Sequence, residues 1–349
     1  MPAVITDLTA QGVREPVSRR EYVLVEVRTD SGLTGVGEGA AQPDAATVVA
    51  ALQEQRKTLA GRDPTAYEMV RPALPAARAA LNMALLDITG QLARAPVYEV
   101  LGGPTRFKAR AATTLVDASS LETARAAGFR ALLAPVEPPA WRNSGQAWVR
   151  GVRRRLEELR RAAGDEVDFI LDCGGSLTPG DAQMLAREVE SFHLLWLEEP
   201  CPTVNLQAAA KISQESATPV GFGRGARSNA EFQDLLRLDA IDVLRPDIGL
   251  HGISQIRKAA ALAETYYVAV APFHRGGPVA TAAALHLAAS LPNFFLQEAP
   301  WPAAEADRRM RAEIVSGAPE TVRDGYFLLP TAPGLGVHLN AEAVRRYRV

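Results

Sequence analysis

From Arg110 onward the chain alternates short apolar runs with helical stretches, and eight such runs recur: AATTLV, RALLAP, VDFILD, LLWLEE, PVGFG, AIDVLR, YVAVAP and FFLQEA. Helical segments such as GISQIRKAAALAE fall between several of them. A strand-helix unit repeated eight times points to a parallel (β/α) barrel. At 349 residues the chain has room for such a barrel of ~250 residues with about 100 more attached to it.

The attached residues lie mostly in front of the barrel. The segment EYVLVEVRTDSGLTGVGEG, Glu21 to Gly39, alternates apolar and polar residues on either side of an Asp30-Ser31-Gly32 turn, the pattern of a β-hairpin. From Ala45 to about Arg94 the periodicity is helical; in ARAALNMALLDITGQLA, Ala80, Met83, Ala84, Ile88 and Leu92 are expected to line one face. The last stretch, GYFLLPTAPGLGVHLN, is rich in Gly and Pro and resumes no strand-helix unit. The expected fold is α/β: a modified TIM barrel over 109–318, an N-terminal α+β domain over 1–108, and a tail over 319–349 that packs back on and completes the N-terminal domain.

With 47% hydrophobic residues, 22% charged residues and a formal charge of -2, the chain carries no global basic field to attract nucleic acid or a membrane surface. The expected partner is a small molecule. No apolar stretch approaches the ~20 residues that span a bilayer, and the sequence reads as cytoplasmic. Cys173 and Cys201 are too few for a disulfide framework and are read as thiols. Lysine is confined to Lys57, Lys108, Lys211 and Lys258, so chemistry that needs a lysine base has few candidates.

Polar residues close successive apolar runs: Asp172, Glu198, Arg224, Asp247, His274 and Glu298, at intervals of 26, 26, 23, 27 and 24 residues. Each alone has an ordinary explanation, as a turn residue, a solvated strand end or a packed histidine. Together they keep the rhythm of one strand-helix unit, which in a barrel gathers them on the C-terminal rim where barrel enzymes work. His251 follows in the loop after Asp247 as a weaker substrate-contact candidate, while His193, His286 and His338 fall at the wrong end of the barrel, in an apolar helix and in the tail. The stretch GFGRGARS, Gly221 to Ser228, looks like a phosphate loop, but no nucleotide-binding strand-helix-strand context accompanies it. Its position makes Gly223-Arg224 the end of the fifth strand.

These residues resemble the enolase superfamily, most closely its mandelate racemase and muconate lactonizing enzyme branch. The likeness runs over nearly the whole chain. TDSGLTGVGEG resembles the opening hairpin, NMALLDITGQLARAPVYEVLGGPTR the link from capping domain to barrel, and DCGGSLT, WLEEP, RPDIGLHGISQIRKAAALAE, FHRGGPVATAAALHLAASLPN and PGLGVHLN successive later blocks. The resemblance implies abstraction of a proton α to a carboxylate, with Mg²⁺ stabilising the enediolate. It implies metal ligands at Asp172 and Glu198, a base at His274 oriented by Asp247, and Glu298 beside the substrate carboxylate. It also implies a homo-oligomer. Substrate specificity is expected from capping-domain loops near Gly12 to Arg20 and Ala41 to Thr47, with Arg19, Arg20 and Arg275 as candidates to meet an acid.

Three positions depart from the family's pattern. Arg224 stands where the third metal-binding carboxylate is expected, Leu133 and Ala134 stand where a lysine motif ends the second strand, and Gly174 replaces an asparagine after Asp172. A guanidinium has donors and no acceptor, so it cannot be a ligand. The exchange takes the ligand set from about -3 to about -1, which at ~5 Å and an effective dielectric near 20 weakens attraction for a divalent ion by on the order of 10 kcal/mol before relaxation. Arg224 is therefore expected against Asp172 and Glu198 as an internal cation. Without an opposing lysine, a one-base dehydration of a hydroxy or sugar acid fits better than two-base racemisation or epimerisation; the alternative is a diverged member, non-catalytic or metal-free, that binds a small acid.

Overall fold

The computed structural model describes residues 3–116, 118–141, 145–317 and 319–349. Three antiparallel strands open the chain, β1 (Ile5–Arg14), β2 (Glu21–Thr29) and β3 (Thr34–Ala40). Helices α1 (Ala45–Leu59) and α2 (Pro75–Ala93) cover them, and a short α3 (Val97–Val100) leads to the barrel. The side chain of Asp44 caps α1 by accepting from the Thr47 N–H, and a proline opens α2, two of the usual helix-start devices.

Close approach of α2 to the sheet is written into TGVGEGA. A Cβ on Gly35, Gly37 or Gly39 would stand 2.1, 2.0 and 2.5 Å from the carbonyl oxygens of Ala84, Ala80 and Ala76. Only glycine lets those backbones meet. Buried this deeply, α2 has no single apolar face: Met83, Ala84 and Ile88 are buried, and so are Leu81, Asn82 and Asp87 on other sides. Leu92, expected on one face with Met83, Ala84 and Ile88, is 41% exposed near the helix end. The helical region is also interrupted between α1 and α2 by a loop and a 3₁₀ turn over Tyr67–Met69.

Eight parallel strands follow: β4 (Lys108–Thr114), β5 (Ala131–Pro135), β6 (Asp168–Asp172), β7 (Leu197–Glu198), β8 (Val220–Phe222), β9 (Val243–Leu244), β10 (Ala269–Val270) and β11 (Gln297–Glu298). All eight apolar runs contain a strand, although the later ones keep only two or three residues of regular pairing. Strands β4 to β10 pair in sequence order, and β11 pairs with β4. Single bridges, Val270 with Phe294 and Phe273 with Glu298, join β10 to the β11 region and close the barrel. Between them run α4 (Ala118–Ala126), α5 (Gln146–Ala163), α6 (Pro179–Val189), α7 (Leu206–Glu215), α8 (Asn229–Arg237), α9 (Ile248–Glu264) and α10 (Pro278–Ser290); α11 (Glu305–Ile314) follows the last strand.

The barrel interior is filled by Ala112, Ala131, Leu133, Ile170, Trp196, Val243, Ala271 and Leu296. Trp196 takes the room that Gly221 leaves, since a Cβ on Gly221 would fall 2.6 Å from the indole. Around this lies the larger core between strands and helices, and a separate core sits under α1 and α2 and takes in Leu250 of α9.

After α11 come β12 (Val315–Ser316), β13 (Val322–Arg323), β14 (Tyr326–Leu328), β15 (His338–Leu339) and α12 (Ala341–Arg346). This tail divides its contacts. β14 pairs antiparallel with the first barrel strand, β4, and β12 with β15. Further on, Leu335 N–H donates to Asp87 of α2, and Arg348 and Val349 bond to the β1 backbone at Val13 and Gly12. The tail thus ties barrel and capping domain together and does not belong to the cap alone.

Candidate active site

Parallel pairing sets Asp172 beside Glu198, and Glu198 beside Gly221, at the C-terminal ends of β6, β7 and β8. Glu298 ends β11, and Arg224, Asp247 and His274 lie in the loops just past β8, β9 and β10. The rim therefore gathers the periodic residues. A cavity of about 490 Å³ opens there, lined among others by Arg224, His274, Glu298, Arg275, Thr114 and Trp301. Val17, Ser18 and Arg20 line it from the loop between β1 and β2, the first of the two loops expected to reach the mouth. From the second, Gln42 accepts from Arg227, outside the cavity wall.

The guanidinium of Arg224 lies between the two carboxylates. Its Nη1 donates to Asp172 Oδ2 at 2.7 Å, and its Nε stands 3.6 Å from Glu198 Oε1, close enough for charge attraction but without a hydrogen bond. The ring of Phe273 lies under it, 5.1 Å from the guanidinium carbon. The backbone is fixed as firmly as the side chain: Glu199 Oε1 accepts the N–H groups of Gly223 and Arg224 at 2.8 and 2.7 Å. Those are the amides a phosphate would need, so GFGRGARS is not presented as an anion cradle.

Sequence reasoning missed a second arginine. Arg245, past the end of β9 and wholly buried, donates from Nε to Glu198 Oε2 at 2.7 Å, from Nη2 to Glu298 Oε2 and from Nη1 to the Ala271 carbonyl. It bridges the fourth and eighth strands across the barrel mouth. Trp196 Nε1 also donates to Glu198, and Thr114 Oγ1 donates to Glu298 Oε1 at 2.7 Å. The available clue was spacing: Arg245 lies two residues before Asp247, and alternation along an extended segment turns both to the same side.

Burial and charge oppose each other here. Burial pushes Glu198 up to about 7, with Arg245 and Arg224 pulling the other way. Burial also raises Glu298, but Arg245, Arg224 and the Thr114 hydroxyl outweigh it and hold this carboxyl below its usual range. Burial lowers Arg224, yet Glu298, Glu198 and Asp172 prevail and hold it above the ordinary arginine value. The site is a linear alternation of three carboxylates and two guanidiniums, Asp172, Arg224, Glu198, Arg245 and Glu298.

That donor set does not fit Mg²⁺. One ligand position is a guanidinium, Asp172 is engaged by it, and Glu198 is engaged by Arg245 and Trp196. Among the described residues no three His, Cys, Asp or Glu side chains are grouped so as to hold a metal ion. Mg²⁺ keeps several waters and can be held by one or two carboxylates, but both of those present here are already taken by cationic or N–H donors.

His274 and Asp247 sit on neighbouring strand ends, but the hydrogen bond expected between them is absent. Asp247 Oδ1 accepts the Gly249 N–H at 2.8 Å and caps α9, and burial pushes this carboxyl up to about 6. His274 turns Nε2 toward Thr281 Oγ1, 3.0 Å away, and its Nδ1 has no hydrogen-bond partner. Burial, with Arg311 and Arg20 nearby, holds the imidazole well below its ordinary value, in the neutral form a base requires. His251 does not join the site: it lies in α9, its Nε2 3.1 Å from the Ala226 carbonyl and its ring against Phe232.

Residues 6–102 match the mandelate racemase/muconate lactonizing enzyme N-terminal domain, and residues 116–344 match the enolase C-terminal domain-like family. D-galactonate dehydratase of Ralstonia pickettii (strain 12J) is 31% identical over 347 residues, covering 93% of this chain and 90% of the relative. D-xylonate dehydratase of Haloferax volcanii is 27% identical, covering 94% and 85%. Among solved structures, a mandelate racemase/muconate lactonizing enzyme-like protein from Rubrobacter xylanophilus superposes with a TM-score of 0.88 at 27% identity, over 100% of this chain and 98% of that one. With both domains matched, the barrel closed and the strand-end residues gathered on its rim, the chain belongs to the mandelate racemase/muconate lactonizing enzyme branch of the enolase superfamily.

Proposed function

We propose that this enzyme dehydrates a hydroxy or sugar acid, with positive charge for the enediolate supplied by Arg224 instead of a bound metal. The observation that carries the reading is the placement of Arg224: a guanidinium held by Asp172 and facing Glu198, on the wall of a cavity that also exposes His274 and Glu298. The dehydratase relatives support the reaction class, and an acid of the galactonate or xylonate type is the first substrate to try.

In this scheme the acid enters with its carboxylate toward Arg224 and its α-hydrogen toward His274. His274 takes the α-proton, and the electron pair of the C–H bond passes into the carboxylate as the enediolate. Charge develops next to a fixed, nearly dry cation, where stabilisation is strongest. The enediolate then expels the β-hydroxyl, which leaves as water with the proton His274 received. The resulting enol ketonises to a 2-keto-3-deoxy acid. Glu298, held by Thr114 and Arg245, keeps Arg245 in place and adds to the negative field that keeps Arg224 charged.

The test is solvent exchange. Purified protein is incubated with D-galactonate, D-xylonate and other hydroxy acids in D₂O, with Mg²⁺ and with a chelator, and α-deuterium and keto acid are followed by NMR. Exchange that persists with chelator and disappears in His274→Asn is the expected result. Exchange that requires Mg²⁺ overturns the metal-free reading, and ligand binding with no exchange for any acid favours a non-catalytic acid-binding protein.

A further inference from the structure

We propose that Glu320, acting through Thr281, is the positioning residue for His274, holding the neutral ring with its hydrogen on Nε2. The inference rests on His274 as the base in the function proposed above.

Thr281 lies in α10, one helical turn past its start, and its hydroxyl meets two groups at once. Oγ1 is 3.0 Å from His274 Nε2 and 2.9 Å from Glu320 Oε1, with the Gly277 carbonyl farther away at 3.4 Å. A hydroxyl has one hydrogen and two lone pairs. Glu320 is gripped by Arg311, whose Nε donates to Oε2 at 2.8 Å and whose Nη2 donates to Oε1. A carboxylate held in this way offers Thr281 only lone pairs. The hydroxyl hydrogen must then point to Glu320, and the hydroxyl oxygen must accept from His274 Nε2–H. The opposite arrangement would set a hydroxyl lone pair against a carboxylate oxygen.

The tautomer follows from the chain of donors. With hydrogen on Nε2, the lone pair is on Nδ1, a buried nitrogen that has no hydrogen-bond partner among the described residues. Among the described residues Asp247 makes no hydrogen bond to the ring; its Oδ1 accepts the Gly249 amide. A proton gained by the ring would make it cationic beside Arg20 and Arg311, and Glu320 is the carboxylate connected to the ring through hydrogen bonds. Arg311 itself is balanced on its other side by Glu15 of the β1–β2 loop, at 2.6 Å. The orienting carboxylate has thus been moved from the neighbouring strand end to the tail.

Nitrogen NMR of the full chain labelled with [¹⁵N]histidine tests this without any substrate. The chain has five histidines, and the His274 resonances are those missing from His274→Asn. Two-bond proton–nitrogen correlations at neutral pH are expected to show Nε2 protonated and Nδ1 bare in wild type and in Thr281→Ser, and a mixture of tautomers in Thr281→Val and Glu320→Gln. The remaining four histidines report whether each variant is folded. Wild type with hydrogen on Nδ1, or Thr281→Val indistinguishable from wild type, overturns the proposal; should Thr281→Val fail to fold, the wild-type tautomer alone decides. With an acid that exchanges, Thr281→Val is expected to lose tenfold or more in kcat with little change in KM, and Thr281→Ser to recover it. If no acid exchanges while the tautomer is as assigned, the enzymatic reading fails and the positioning by Thr281 and Glu320 stands.

Discussion

Arg224 Nη1 stands 2.7 Å from Asp172 Oδ2, so the residue in the place of a metal-binding carboxylate neutralises the carboxylate that would have been its fellow ligand. Both side chains are close to nine-tenths buried. Replacing Arg224 by Met leaves a buried carboxylate unpaired beside Glu198, and a loss of about 3 kcal/mol in unfolding free energy is expected by urea denaturation.

On the metal-free reading proposed above, the reverse substitution, Arg224→Glu, is expected to create affinity for Mg²⁺ well beyond that of wild type. Calorimetric titration of the two proteins reads this directly, and the melting temperature of the variant should rise with added Mg²⁺ more than that of wild type.

Arg245 is the more deeply placed of the two arginines, fully buried between Glu198 and Glu298. Arg245→Met is expected to cost about 3–5 kcal/mol, because two buried carboxylates lose their shared partner. Adding Glu198→Gln to that variant should restore part of the loss, and the double-mutant cycle measures the coupling. Simple additivity of the two substitutions would show that the bridge contributes nothing as a unit.

Gly221→Ala tests the packing beneath the charges. The new methyl would fall 2.6 Å from the Trp196 ring and 3.2 Å from Glu198 Oε2, so indole and carboxylate must both shift. A loss of about 1–3 kcal/mol and a changed tryptophan fluorescence spectrum are expected, together with lower activity.

Glu38 of β3 carries the pH prediction. It is buried and accepts the Gly277 and Ala280 amides at the start of α10, and burial pushes its carboxyl up to about 7. A carboxyl raised on folding binds its proton more tightly in the native state, so its contribution is full below the unfolded value near 4.5 and is lost as pH rises through 7. Glu38→Gln removes that titration. Between pH 4.5 and 8 wild type should lose up to about 3 kcal/mol relative to the variant, read from urea unfolding at several pH values.

Much of this was legible in the chain because a barrel strand ends where its apolar run ends, and rim residues inherit that spacing. Asp172, Glu198 and Glu298 were found so, each as the last residue of its strand. What stayed hidden depends on residues brought together from far apart. Arg245 reads as one more charge after an apolar run, and only the fold sets it between glutamates on β7 and β11. Glu320 lies in a tail with no periodicity to place it, so nothing in the sequence connects it to Thr281. The face of α2 was misread because a helix buried on nearly every side has no apolar stripe to detect. Asp247 was expected to orient His274, but the same residue starts α9, and the nearby Gly249 amide takes its carboxylate first.

The positive charge at this barrel mouth is covalent. Where a site recruits a divalent ion, its occupancy follows the ion's concentration in the surroundings and is open to chelation and exchange. Arg224 and Arg245 are installed during translation in fixed proportion to the carboxylates they face, so this rim carries both guanidiniums in every folded copy, whatever the supply of ions.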